Sequence, residues 1–474
     1  ENKMIEKVRR RNNLTVEITG NNALDDFQDI QNNYTTGAIT ATVIYSTGTT
    51  NATISDFIAT DALVAGNTLA LTIADTSADA EDLVTLLGLT EGVLTVSNQI
   101  TITGSTADLK AIYTNTPSVS GIGNGQLVTD DTGSVAAADL LAIADELTAG
   151  SGDLDANTIT RVTGTASDIS DFLTDTDINN GEDQNITVTD FNLAASEITT
   201  ILGNGTNTAQ TTGNIDIISD TITGTATQVD GVLAALGDGG LAAVFTDDNT
   251  NGTVSGLDAI NVSLTAATST SNIDDISKRT TGVVTATSTD TVLATHLAQF
   301  TSTEAITDTF AGNNLTLSVA DTDISASDLV SLETFTSGTV TLTAVGTITG
   351  SSSDVSSVLT SGKTSGFGTA ALTVTGGLSV AQFDILDAKT SGTITATISD
   401  NDIATLSSIS STNNALGISV SDATVAATDI TSLAGKTTGL VNVSVANTIT
   451  GTYEEVLAVI GNTSVNGRLT ANYT

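Results

Sequence analysis

Oxygen-bearing side chains cluster most tightly at Asp247-Asp248-Asn249-Thr250-Asn251-Gly252, with Asp258 at the twelfth position counted from Asp247. Asp247, Asn249, Asn251 and Asp258 fall where a calcium loop places its ligands, and Gly252 falls where such a loop turns sharply. A hard Ca²⁺ ion gathers six to eight oxygens, so these four residues are the candidate metal ligands and calcium is the candidate ion. Aspartate stands where the final glutamate usually reaches across, which shortens that arm. Asp175-Thr176-Asp177-Ile178-Asn179 offers a poorer second set. In both places an Asx turn, with the side chain bonding backbone two residues on, competes with metal binding.

A second set of acids recurs along the chain. Asp75, Asp130, Asp190, Asp247, Asp321 and Asp422 each close a β-rich run, and Gly376 replaces the acid in LTVTG. Carboxylates facing one another across such a repeat suit general acid/base work on glycosidic bonds. The plainer expectation is turn acids and helix caps favoured by the helix dipole. His296 is the single histidine; without a second histidine nearby it reads as a surface or core-edge residue. The Thr-x-Thr pairs at 101/103, 221/223, 347/349 and 448/450 suggest an ice-binding face, but return too seldom to form a flat array.

The composition narrows the chemistry further. The 474 residues contain 13 Lys+Arg, 54 Asp+Glu, one His, one Pro and no Cys, for a formal charge of −41. Such a chain does not hold nucleic-acid backbones, which requires clustered cations. Cysteine nucleophiles, thiolate metal sites and disulfides are excluded. No apolar run reaches the roughly 18 residues of a membrane span, so no membrane insertion is expected. With so few groups that titrate near neutrality, the chain reads as a non-enzyme.

The elements that would position these residues repeat. A Gly after Thr, Ser or Glu precedes a β-rich run at Gly37, Gly92, Gly213, Gly282, Gly338, Gly392 and Gly439, with a degenerate copy near Gly150. The first and last lie 402 residues apart over seven intervals, a period of about 57. A T-I-T-G phrase, or a close variant, ends at Gly20, Gly104, Gly164, Gly224, Gly350 and Gly451. Capping patterns follow at Ser105/Asp108, Thr165/Asp168, Thr225/Gln228, Ser351/Asp354 and Thr452/Glu455. Apolar residues then recur at i, i+3, i+4, as in Ile169/Phe172/Leu173, and predict short amphipathic helices. A further cap is expected at Ser325/Asp328.

Strand followed by short helix, again and again, predicts a repeat solenoid: parallel β-strands alternating with short α-helices, leucine-rich-repeat-like in plan but without that family's leucine signature. About eight ~57-residue repeats of two rungs each fill residues 14–474 as one continuous solenoid. Roughly sixteen strands would extend about 75 Å along the sheet. Residues 1–13 hold five of the basic residues and read as a basic linker or the end of an upstream helix.

With these anchors in view, the chain resembles the repeat regions of very large surface proteins of marine bacteria and cyanobacteria, and similar repeats in long phage fibres. The phrases carrying the likeness are TTGVVTATSTDTVLATHL (280–297), ISASDLVSL (324–332) and VTGTASDISDFL (162–173). The resemblance implies an extracellular, cell-surface segment of adhesin or S-layer type, partnered by copies of itself or by cell-surface glycans. A virion appendage and a glycan-active solenoid enzyme are the alternatives.

Overall fold

The computed structural model describes residues 16–23, 29–30, 38–45, 54–58, 66–73, 75–96, 100–114, 119–122, 125–147, 153–179, 184–205, 215–235, 254–255, 260–300, 312–468 and 471–474. The chain divides into two compact units, Glu1–Thr221 with Ala234–Leu257, and Ile222–Leu233 with Asp258–Thr474. In both, parallel strands alternate with short helices.

In the first unit one sheet runs through Val16–Ala23, Ile39–Tyr45, Thr68–Ile73, Leu94–Val96 and Val119–Ser120. A second runs through Ser77–Asp79, Thr101–Gly104, Gln126–Thr129, Leu154–Asp155 and Ile178–Asn179, and a third through Ser134–Ala136, Arg161–Gly164, Asn185–Val188, Ile215–Ile217 and Val254–Ser255. A rung commonly gives one strand to each of two neighbouring sheets and then a helix, and the rung over residues 119–144 gives three, with Gln126–Thr129 in the second sheet. The rung that ends the first sheet at Val119–Ser120 also opens the third at Ser134–Ala136, so sheets succeed one another along the stack.

The second unit repeats the plan. One of its sheets includes Asn261–Leu264, Val284–Thr287, Asn314–Val319, Val340–Leu342 and Thr364–Ser365. The next includes Asp323–Ser325, Thr347–Ser351, Ala371–Leu378, Ile394–Ile398, Ala415–Ser419, Val441–Asn442 and Val465–Asn466. The last holds Thr424–Ala426, Thr448–Thr450 and Asn472–Tyr473.

Alternation explains why these runs become strands. Ile394–Ile398 buries Ile394, Ala396 and Ile398 and exposes both threonines between them. Register then stacks the inward residues into a ladder, Ile324 on Ile348 on Leu372 on Ile394, all of them buried. Helices add their own stripe: Ile169, Phe172 and Leu173 are buried on Ala166–Thr174, and Val355, Val358 and Leu359 on Ser352–Thr360. Burying one such side chain is worth about 1.5–3 kcal/mol. A rung of two short strands and one helix buries few of them without its neighbours.

Two expectations change here. Each rung usually carries two strands where one was expected, because the T-I-T-G phrases are themselves strands of an adjacent sheet. The cap at Ser325 does not form. Its ψ of 128°, against 158° at Ser351, leaves the hydroxyl off the Asp328 amide and bonded to Ser327 Oγ at 2.7 Å. The other five caps all form; Thr452 with Glu455 makes a full capping box.

Candidate functional site

The recurring aspartates act across rungs. The first amide of a helix donates to an aspartate that closes a strand of the following rung: Ile54 to Asp75 at 2.9 Å, Thr106 to Asp131 at 2.7 Å, and Ala166 to Asp190 at 2.6 Å. In the second unit Thr270 donates to Asp290, Leu293 to Asp321, Val380 to Asp400 and Ile403 to Asp422, all between 2.7 and 2.8 Å. A carboxylate here meets an orphan N–H and the positive end of the helix dipole together. The sequence pointed to Asp130, but Asp131, two residues beyond Thr129, makes the contact. It missed Asp290 and Asp400, although both stand just past threonine-rich strands like the others. At Gly376 the acid is absent, and Ser352 Oγ lies 3.6 Å from where a Cβ would sit.

Two of these carboxylates, Asp131 and Asp290, carry a pH dependence. The Thr270 backbone and hydroxyl bonds outweigh burial and hold Asp290 below the ordinary aspartate value of 3.8. Burial pushes Asp131 up, but bonds from Thr106 and Thr129 overcome it and hold it low. A carboxylate whose folded pKa is depressed contributes stability above its unfolded pKa and loses it as pH falls through the folded value. Burial shifts Asp175 and Asp384 the other way, so those two work in the opposite sense. The depressed groups sit at repeated inter-rung joints. Melting temperatures followed by circular dichroism are expected to stay level from pH 7 to about 5 and to fall steeply below about pH 4; a rise on acidification would contradict this.

Threonine and asparagine form a second inter-rung joint that the sequence reading missed. Asn67, Asn313 and Asn414 are buried, and their Oδ1 atoms accept from the preceding rung: Ile39 N at 2.8 Å, Val284 N at 2.8 Å and Ile394 N at 2.6 Å. One rung later Thr90, Thr336 and Thr437 each place a buried Oγ1 against the strand that begins beside that asparagine. Leu69, Leu315 and Leu416 donate to these hydroxyls at 2.8–2.9 Å. Two residues on, Gly92, Gly338 and Gly439 donate to the same oxygens. A Cβ on these glycines would lie 2.1–2.3 Å from the carbonyl oxygen of Leu69, Leu315 or Leu416. That close approach accounts for the glycine anchor. The legible signal was an Asn two residues before an inward Leu, with T-x-G one rung later.

His296 is fully buried, not at a surface or core edge as expected. Its Nδ1 lies 2.9 Å from Thr270 Oγ1 and its Nε2 lies 3.1 Å from the Ser318 carbonyl, so the ring ties three rungs together. Asp175 accepts from Asp177 N at 2.8 Å, an Asx turn. Asp247, Asn249, Asn251 and Asp258 lie outside the described residues. Among the described residues no group of three His, Cys, Asp or Glu is placed to hold a metal ion.

Helices Ala226–Ala235 and Thr270–Ser277 flank a polar cleft of about 170 Å³, lined by Thr227, Asp230, Asn272, Asp275 and Arg279. Arg279 and Asp230 approach to 3.2 Å across it, and Lys278 pairs with the buried Asp274 at 2.8 Å beside it. Arg279 thus bridges the two helices across the cleft, while Lys278 is paired within its own helix.

The outward sheet faces carry hydroxyls and amides. Register aligns Thr349 with Thr373 and Thr395, and Ser263 with Thr285 and Asn314, each partly or fully exposed. The Thr-x-Thr pairs do not stack on one another: Thr101 and Thr103 lie between Ser77/Asp79 and Gln126/Val128. Among the described residues no helix is long and apolar enough to cross a membrane. Compared with known proteins, the chain matches no family model and no curated sequence.

Proposed function

We propose that the chain is an extracellular structural and adhesive repeat segment, a β/α solenoid of about eight two-rung periods that binds through extended surface and repetition. The observation that carries this reading is how the polar residues are used. Aspartates, threonines, asparagines and the histidine that a catalytic site would draw on are engaged in joining rung to rung. The remaining polar groups form rows of hydroxyls along the outward faces, a chemistry that suits hydrogen bonding to glycans and other copies of the surface. Strong negative charge would keep such a segment dispersed, with repulsion confined to about 8 Å at physiological ionic strength.

Calcium at Asp247, Asn249, Asn251 and Asp258 belongs to the same proposal. Added calcium is expected to raise the melting midpoint by a few degrees and a chelator to reverse it, whereas an unchanged midpoint would remove the ion from the account.

The test of function is incubation with immobilised polysaccharides, followed by assay of both retention and released reducing sugar. Retention without release is expected. Release of sugar would replace this reading with an enzymatic one; neither retention nor release would remove glycans as partners.

A further inference from the structure

Besides the joint at Gly376, a second one lacks its acid. The Asp130 amide donates to the Gly104 carbonyl at 3.0 Å, and the next residue, Asp131, takes the first amide of helix Thr106–Thr114. Thr189 donates to Gly164 at 2.9 Å, and the next residue, Asp190, takes the first amide of Ala166–Thr174. Thr265 donates to Gly224 in the same way, also at 2.9 Å. Here the next residue is Ala266, whose side chain has no oxygen to offer the first amide of Ala226–Ala235.

The packing beside Ala266 is loose as well. Helix Ala166–Thr174 packs directly against Ala195–Gly205, and Thr270–Ser277 against Leu293–Phe300. Between Ala226–Ala235 and Thr270–Ser277 lies the polar cleft instead, with Ala226 and Thr227 in its lining and the Arg279–Asp230 pair across it. Both walls of the cleft belong to the second unit. The paired side chains are 30% and 48% exposed, so water and salt weaken their attraction. Gly231 stands inside the helix where Asp171 stands on Ala166–Thr174, and nothing lies within 4 Å of where its Cβ would sit. A glycine there loosens the helix without easing any close approach.

We infer that this joint opens more readily than the acid-capped ones: residues 226–233 lift from the following rung, and the Arg279–Asp230 pair is the strap that draws them back. Opening uncovers Val229, Val232 and Leu233, the buried stripe of that helix. Local opening is easiest where fixed bonds are few and the groups that replace them face water. At this joint a carboxylate seated on a helix start is replaced by an exposed ion pair across a cleft.

Hydrogen exchange of the full chain, followed by mass spectrometry, tests the inference by comparing residues 229–233 with 169–173 of the matching helix. Exchange about tenfold faster at 229–233 is expected. Ala266→Asp supplies the acid and should slow it about fivefold, whereas Arg279→Gln removes the strap and should speed it; neither variant should alter exchange at 169–173. Ala266 is exposed and Arg279 half-buried, so circular dichroism of both variants should match the parent. If it does not, Asp230→Asn, which keeps the shape and removes the pair, supplies the second reading. Faster exchange that responds to either variant supports the joint. Exchange no faster than at 169–173, or exchange that none of the variants moves, would overturn it. Neither result bears on retention by glycans.

Discussion

Thr437→Val is expected to cost about 2–4 kcal/mol, since it leaves the buried Leu416 N–H and its neighbour Gly439 N–H without their acceptor while preserving shape. The lost hydroxyl also donated toward the Asn414 and Leu416 carbonyls, 3.1 and 2.9 Å away. Thr437→Ser keeps the oxygen and should stay within about 1 kcal/mol of the parent. Thr438→Val, at the exposed neighbouring position, should change stability by no more than about 0.5 kcal/mol. Urea unfolding followed by circular dichroism gives all three values. If Val at 437 is no worse than Val at 438, the threonine joint contributes nothing and the glycine anchor loses its explanation.

The second large effect concerns the T-I-T-G glycines. A Cβ on Gly350 would lie 2.6 Å from the Cβ of Ala326, the buried first residue of the preceding rung's helix. Both backbones are fixed there, Ile324 pairing with Ile348 and Ile348 with Leu372. Gly350→Ala is therefore expected to cost about 1–3 kcal/mol as overpacking. Ala326→Gly placed in that background should restore at least about 1 kcal/mol, although alone it weakens the helix start by about 0.5–1 kcal/mol. The same change at Gly164 or Gly451, where the facing alanine Cβ is 3.1 Å away, should cost less. Additive single and double variants would show that the two residues do not meet.

These joints separate what the residues announce from what they conceal. Period, parallel strands and helix stripes were legible because a rung is local: alternation places Ile394, Ala396 and Ile398 inward, and Thr165 caps its own helix three residues on. Contacts one rung away were visible only as recurring letters. A glycine anchor reads the same whether it turns the chain or admits a carbonyl, and only the position of the Leu416 oxygen decides between them. Aspartates read as caps for their own neighbourhood, whereas Asp400 caps Val380, twenty residues behind it. Ser325 failed as a cap for a local reason, a small difference in ψ that no residue type encodes. His296, alone in sequence, gave no sign of the Thr270 and Ser318 groups that surround it. The candidate calcium ligands at Asp247 to Asp258 remain an expectation from spacing.

Excision of one rung bears most directly on the claim that rungs are interchangeable steps held by their neighbours. Register places Leu317 beside Val340 and Val340 beside Thr364 in one sheet, and Ile324 beside Ile348 and Ile348 beside Leu372 in the next. Deleting Val340–Lys363 and joining Thr339 to Thr364 then brings Leu317 to Thr364 and Ile324 to Leu372, with Ala326–Thr334 packed on Val380–Asp387. Urea unfolding of this shortened chain should keep a cooperative transition and the parent's circular dichroism per residue, with a lower midpoint. Loss of the transition would mean that the removed segment belongs to an indivisible core, contrary to a stack of repeating steps.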